Sequence, residues 1–495
     1  MSNLDWIIVV LYLGAIIAVG RYFARRQRNM DDYFRGSGNM PWLAVALSVV
    51  ASLASTVGYL GTPGEVIQNG IGILIGQLAI PAAILVIVFI IVPFYKRANV
   101  TTAFELLGAR YGSSTRMLSV IIWAYMQIAF LGLVMLLASR LIADMTGIPV
   151  LVVILVIGLA SVLYTSAGGM QSVVWTDVFQ FVILFLGAVV AIGVIVARTD
   201  TGPGDWWREM AGQTHDLPPW FSRDLATRHT VLGTLFAGFV INIAYASSEQ
   251  VVVQRYGATR RAATMMLANY GAAVIFTFLQ IALGAALVVF YLKVPGALPA
   301  DVGSATDANF ADQAFPHFIV HHLPIGLTGM VIAALLGAAQ STVDSGVNAM
   351  SAVISTDVIP FFKNRKSMDN QLQSARWSAR AVGVGVVIMA VVADNLPGAN
   401  NIVDIAQKVV HLGLGPLGAL FLVTMIVRYV GTVAANLSVV GGFSAAVFFA
   451  FAKNNGDNII SPILIIPMSW LVTLALALLL GMVWQKKPAV QPTNE

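Results

Sequence analysis

Apolar runs long enough to cross a membrane recur along the whole chain, separated by short polar segments in which glycine, proline and basic residues gather. Windows of about 20 apolar residues, the length of a helix through ~30 Å of hydrocarbon, predict about thirteen spans. They fall at 5–23, 41–69, 72–96, 117–145, 149–168, 171–198, 231–253, 263–292, 324–357, 374–396, 402–428, 432–452 and 460–484. Several are longer than a straight crossing requires, which predicts tilted or broken helices. The fold class is therefore an all-α integral membrane protein, a single polytopic unit over 1–495.

Four spans are interrupted by polar residues. In 337–351, GAAQSTVDSGVNAMS, Ala338, Ser341, Thr342 and Ser345 recur at i, i+3, i+4 and i+7, and Ser341, Asp344 and Ser345 form a second set beside them. Lipid cannot accept such a stripe, because each unpaired polar group in hydrocarbon costs several kcal/mol. It must face a partner helix, water or a bound ion. In 41–70 the small residues Ala51, Ser52, Ala54, Ser55 and Thr56 precede Gly58, Gly61, Pro63 and Gly64. This reads either as a helix that unwinds and frees hard carbonyl oxygens or as one packed closely through small side chains.

In 164–180, YTSAGGMQSVVWTDVFQ, Gly168 and Gly169 predict a tight turn, with Asp177 less than two helical turns into the next span. A carboxylate at that depth needs a partner. No Lys or Arg lies in an obvious place, so a bound cation is expected. In 240–256, Asn242, Tyr245 and Ser247–Gln250 mark either a second broken helix or the end of its span. Interruptions in spans two and seven, five apart, fit two inverted five-helix repeats around a midplane site. The expected organisation is a leading helix 5–23, repeats over 41–198 and 231–428, and two trailing helices within 432–484.

Composition agrees: 58% of residues are hydrophobic and 10% charged, with mean hydropathy +0.82. The absence of cysteine excludes disulfides and thiolate metal sites. The net charge of +5 is spread among loops, which argues against nucleic acid. Basic residues gather in alternate loops: Arg21, Arg25, Arg26 and Arg28, then Lys96 and Arg97, then Arg255, Arg260 and Arg261, then Lys363, Arg365 and Lys366, and finally Lys486 and Lys487. The opposite loops hold only Arg198, Arg208, Arg223, Arg228, Lys293 and Lys453. The positive-inside rule then places the amino terminus outside and the carboxyl terminus in the cytoplasm. No HExxH-type motif or paired histidines within a span suggest an enzyme. A channel would need a continuous polar pore, whereas the polar groups cluster at mid-depth.

DDYFRGSG at 31–38, YTSAGGMQSVVWTDVFQ and GAAQSTVDSGVNAMS, in this order, resemble the motifs of the sodium/solute symporter family. That resemblance implies the LeuT-type fold with one extra leading helix, sodium as coupling ion and no organic cofactor. It implies a main sodium site from carbonyls of Ala51, Ala54 and Ala338 with the hydroxyls of Ser341 and Thr342. It further implies a second cation or proton site from Asp177, Ser341, Asp344 and Ser345. Asp344 stands where a hydroxyl is usual, so two carboxylates would either hold sodium more strongly or share a proton.

By the same resemblance Leu53, Ser55, Gly58, Gln77, Phe130, Asn242 and Tyr245 line the solute pocket. Gln77 matches a polar contact of the sialic acid branch, and Asn242 and Tyr245 match an amide and an aromatic of the galactose branch. Phe130 replaces the arginine that holds the sialic acid carboxylate. The implied activity is inward sodium flux coupled to uptake of a small polar solute of sugar type by alternating access. Uptake of a carboxylate, amino acid or vitamin, and solute sensing without flux, are the alternatives. The expected partners are the solute and the bilayer, with no nucleic acid.

Overall fold

The computed structural model describes residues 1–212, 218–227, 230–300, 302–362, 371–395, 402–454 and 457–484. Lys363, Arg365, Lys366, Lys486, Lys487 and Arg228, used above for orientation, lie outside the described residues. Among the described residues, ten helices are long and apolar enough to cross a membrane. An eleventh is added when Met30–Gly38 and Trp42–Leu53, which meet at 111°, count as one span. Helix Val150–Thr199 runs for 50 residues. At 1.5 Å per residue that is ~75 Å, more than twice the hydrocarbon thickness. It breaks at Gly169 (φ +55°, ψ −152°) into two passes. Ile402–Ile426, with its apolar stretch Leu412–Ile426, completes the thirteen.

Both expected interruptions are real breaks, and each is capped by its own side chain. Trp42–Leu53 ends at Ala54 (φ −78°, ψ 70°), and Thr56–Asn69 restarts from Ser55. The Ser55 hydroxyl accepts the Gly58 N–H at 3.4 Å. Val231–Ser248 ends at Glu249 (φ −76°, ψ 113°) and Gln250–Ala258 follows. Here the Glu249 carboxylate accepts from the Val251 N–H at 3.4 Å. Of the two sequence readings of 240–256, the broken helix is the one found. A freed backbone group inside a membrane must find a partner, and these caps supply part of that requirement.

Helix Leu327–Val353 is the buried axis of the bundle. Every residue from Val331 to Val353 is buried, against both halves of Val150–Thr199, the leading helix Asn3–Ala24 and the second span. Its polar stripe therefore meets protein. Tyr12 donates to Gln340 Oε1 at 2.6 Å and accepts from Gln180 Nε2 at 3.2 Å, tying three spans together. Arg140, inside the fourth apolar run, pairs with Asp394 at 2.7 Å. The two long loops on one side carry short helices, Pro203–Gly212 and Ala308–His321. Trp206 is buried there, while Trp207 and Trp220 are exposed.

The break at Gly169 also joins two sequence motifs. A β-carbon there would sit 2.5 Å from the Tyr33 carbonyl oxygen, and Tyr33 donates its hydroxyl to Ser166 O at 3.0 Å. Gly169→Ala should cost ~1–3 kcal/mol through backbone strain and lower the melting temperature in detergent. Gly193→Ala, with nothing within 4 Å of its new methyl, should leave the melting temperature equal or raised.

Candidate functional site

The stripe on Leu327–Val353 reaches the second span at its break. Ser341 Oγ donates to Ala51 O at 2.9 Å and to Ala338 O at 3.1 Å. Thr342 Oγ1 donates to Ser52 O at 3.1 Å and to Ala338 O at 3.2 Å. Five oxygens from two helices thus converge where one helix has lost its regular pairing. Hydroxyls can turn their lone pairs inward, and carbonyls already point there, so the set suits a hard cation. The carbonyl that meets Thr342 belongs to Ser52, whereas Ala54, expected in this shell, sits one step further at the break itself.

Ser52 also joins this cluster to a second one. Its hydroxyl donates to Ser48 O at 2.7 Å and lies 2.7 Å from Ser345 Oγ and 3.3 Å from Asp177 Oδ2. Ser48 donates to Asp177 Oδ2 at 2.6 Å and Ser345 does so at 3.2 Å. The cationic partner that the sequence did not reveal is Arg255. Its guanidinium lies 3.4 Å from Asp177 Oδ2, 2.6 Å from Ser345 Oγ and 3.2 Å from Ser48 Oγ. Both charged side chains are fully buried.

Arg255 belongs to Gln250–Ala258, so it is no loop residue, and the expectation that Asp177 lacks a protein cation is corrected. The reason is the break at Glu249, which lets the chain continue inside the bundle. The four residues expected to share a second site are divided: Asp177 and Ser345 stay together, Ser341 faces Ala51, and Asp344 accepts a hydrogen bond from the Tyr164 hydroxyl. Among the described residues, Asp344 Oδ1 and Asp177 Oδ1 have no hydrogen-bond partner.

Beside the break lies a cavity of about 450 Å³. Leu53, Gly58, Gln77, Asn242 and Tyr245, the residues expected around the solute, line it. Ser55 does not, its hydroxyl being used as the helix cap. Phe130 lines a separate space of about 50 Å³, shared with Leu53, Tyr245 and Glu249. Thr62, Thr234, Asn269, Thr277 and Gln280 also line the large cavity and were missed, because these polar residues are scattered thinly among small and apolar ones. Ser48 and Ser52 did carry a signal, standing four apart on one helical face.

A helical membrane bundle whose polar groups gather beside two capped mid-depth breaks has the construction of an alternating-access transporter. The sequence model described as the Sodium:solute symporter family matches residues 33–448. The chain belongs to that family. It is 28% identical over 465 residues to the sodium/sialic acid symporter SiaT of Proteus mirabilis, covering 92% of this chain and 90% of the relative. It is 25% identical over 479 residues to the sodium/glucose cotransporter of Vibrio parahaemolyticus, covering 91% and 86%.

A substrate-bound, outward-open sodium-coupled sialic acid symporter has the same fold, with a TM-score of 0.85 over 98% of this chain and 99% of that one at 24% identity. A nucleobase-cation-symport-1 family transporter shares the fold more distantly, at TM-score 0.59 over 92% and 95% and 15% identity.

Removing Arg255 should strand the buried Asp177 charge. Arg255→Leu is expected to lower stability by ~3–5 kcal/mol, and Arg255→Leu with Asp177→Leu should be less damaged than the two single losses added. A thermal-unfolding double-mutant cycle checks this; simple additivity would show that the pair is uncoupled.

Proposed function

We propose that this protein takes up a small polar organic solute, of sugar or sugar-derivative type, by coupling it to sodium entering through a site made by Ala51, Ser52, Ala338, Ser341 and Thr342, with Ala54 adjoining. The observation that carries the reading is the reach of the Ser341 and Thr342 hydroxyls across to carbonyls at the break of the second span. Sodium there bridges the broken helix to the buried axis and favours the solute-binding state. Solute occupies the cavity lined by Leu53, Gly58, Gln77, Asn242 and Tyr245, with Tyr245 closing over it. The bundle then rocks inward and releases both. The membrane potential adds about 2.3 kcal/mol per charge per 100 mV to the attainable gradient.

Loop charges support an amino terminus outside and a carboxyl terminus in the cytoplasm of a bacterial inner membrane. The sialic acid and glucose specificities of the relatives support a sugar-type solute. Arg255 favours a single coupled sodium: its guanidinium already supplies Asp177 and Ser345 with a positive charge, so a second cation would have to enter against it. The second site over Asp177, Ser341, Asp344 and Ser345 is the rival reading.

Ser341→Ala combined with Thr342→Ala should abolish sodium-stimulated uptake in proteoliposomes while the protein still assembles. Undiminished uptake would refute the site, and solute binding without flux would make the protein a sensor. Sodium dependence of uptake should give a Hill coefficient of about 1; a value near 2 would restore the second site.

A further inference from the structure

Resting on the symporter reading above, we infer that Gln280 contacts the solute and sets its selectivity, and that the solute is an uncharged polyhydroxylated molecule. Gln280 lies on Ala262–Lys293, where Asn269, Ala273, Phe276, Thr277 and Gln280 recur with helical spacing and line the cavity on one side. Gln77, Asn242 and Tyr245 line it from the third and seventh spans.

Gln280 is 2% exposed, and among the described residues neither its amide nitrogen nor its amide oxygen has a hydrogen-bond partner. Leaving a buried polar group unpaired costs ~1–3 kcal/mol, and a leucine of similar length would fill the same wall without that cost. Asn269 Oδ1 and Thr234 Oγ1, also buried and lining the cavity, are unpartnered too. Asn242 is partly committed, because its amide donates to Gly238 O at 2.7 Å. Gln280 is therefore a buried cavity-lining amide with both of its polar atoms unused.

The chemistry of this lining selects the ligand class. A primary amide donates and accepts, and so does a hydroxyl, so amides around a cavity match a molecule carrying several hydroxyls. Among the described residues, no Asp, Glu, Lys or Arg lines the cavity. A buried anion would lack a protein counter-charge, which is costly. Among the described residues, the adjoining smaller space is lined by the carboxyl-bearing Glu249 and by no Lys or Arg, so an anion finds no positive partner there either. The start of Thr56–Asn69, whose helix dipole could have served an anion, is capped by the Ser55 hydroxyl.

The full-length protein in proteoliposomes, with an inward sodium gradient, would be tested with labelled D-glucose, D-galactose and myo-inositol as neutral probes and with N-acetylneuraminate and lactate as anions. At least one neutral probe should be taken up in a sodium-dependent way. Gln280→Leu should raise its KM by about tenfold or more, with thermal stabilisation by sodium alone kept as the test of folding. Gln280→Asn, which keeps an amide, should lose less.

Uptake of an anion with no neutral uptake, or sodium stabilisation with uptake of no neutral probe, would overturn the solute class. An unchanged KM in Gln280→Leu would overturn the residue's role. Wild-type protein that sodium neither stabilises nor drives would instead sink the symporter reading itself.

Discussion

Backbone groups inside a bilayer have no water to turn to, and this one constraint shapes the whole protein. A span can break only where something else takes up the freed amides and carbonyls. At Ala54 the amide side is met by Ser55, which caps the restarting helix, and the carbonyl side by hydroxyls from Leu327–Val353. At Glu249 the carboxylate plays the capping part. The first break stands because a buried neighbour carries matching hydroxyls, and the second because Glu249 caps it from within the segment. Among the described spans, the one holding the axis helix is the least hydrophobic and the most enclosed.

The two polar clusters on that axis differ in how their charge is settled. Around Ser341 and Thr342 every group is neutral, so a cation entering there meets oxygens and no competing positive charge. One turn further, Asp177 already has Arg255, and the three serines Ser48, Ser52 and Ser345 share the work of hydrogen bonding. A buried ion pair contributes little net stability compared with an apolar core, but losing one member is severe. Ser52 belongs to both clusters, through its carbonyl on one side and its hydroxyl on the other. Movement of the second span therefore must disturb both together.

Much of this was legible in the sequence, and the misses have physical causes. Span positions follow from apolar run length, and the break at Gly169 follows from paired glycines just before a new apolar run. The stripe from Ala338 to Ser345 is readable because helical periodicity alone puts it on one face. Arg255 was hidden by the positive-inside pattern, which assigns any arginine after an apolar run to a loop. Only the bend at Glu249 returns it to the interior. Ser55 caps the restarting helix, a use that residue type alone does not distinguish from a binding hydroxyl at the same break. Asp344 points to Tyr164 and not to Asp177, a difference of direction around a helix that spacing at i, i+3 and i+4 does not resolve. Gln280 shares a helix face with Asn269 and Thr277, but so sparse a polar face within a long apolar run gives little signal of its own.

The central claim is that sodium holds the broken second span against the axis helix. Hydrogen–deuterium exchange of the reconstituted protein, compared in sodium and in potassium at equal ionic strength, tests it most directly. The account predicts that sodium selectively slows exchange in peptides containing residues 51–58, and that Ser341→Ala with Thr342→Ala removes the difference. Equal exchange at the break in both salts, in protein that still transports its solute with sodium, would contradict it.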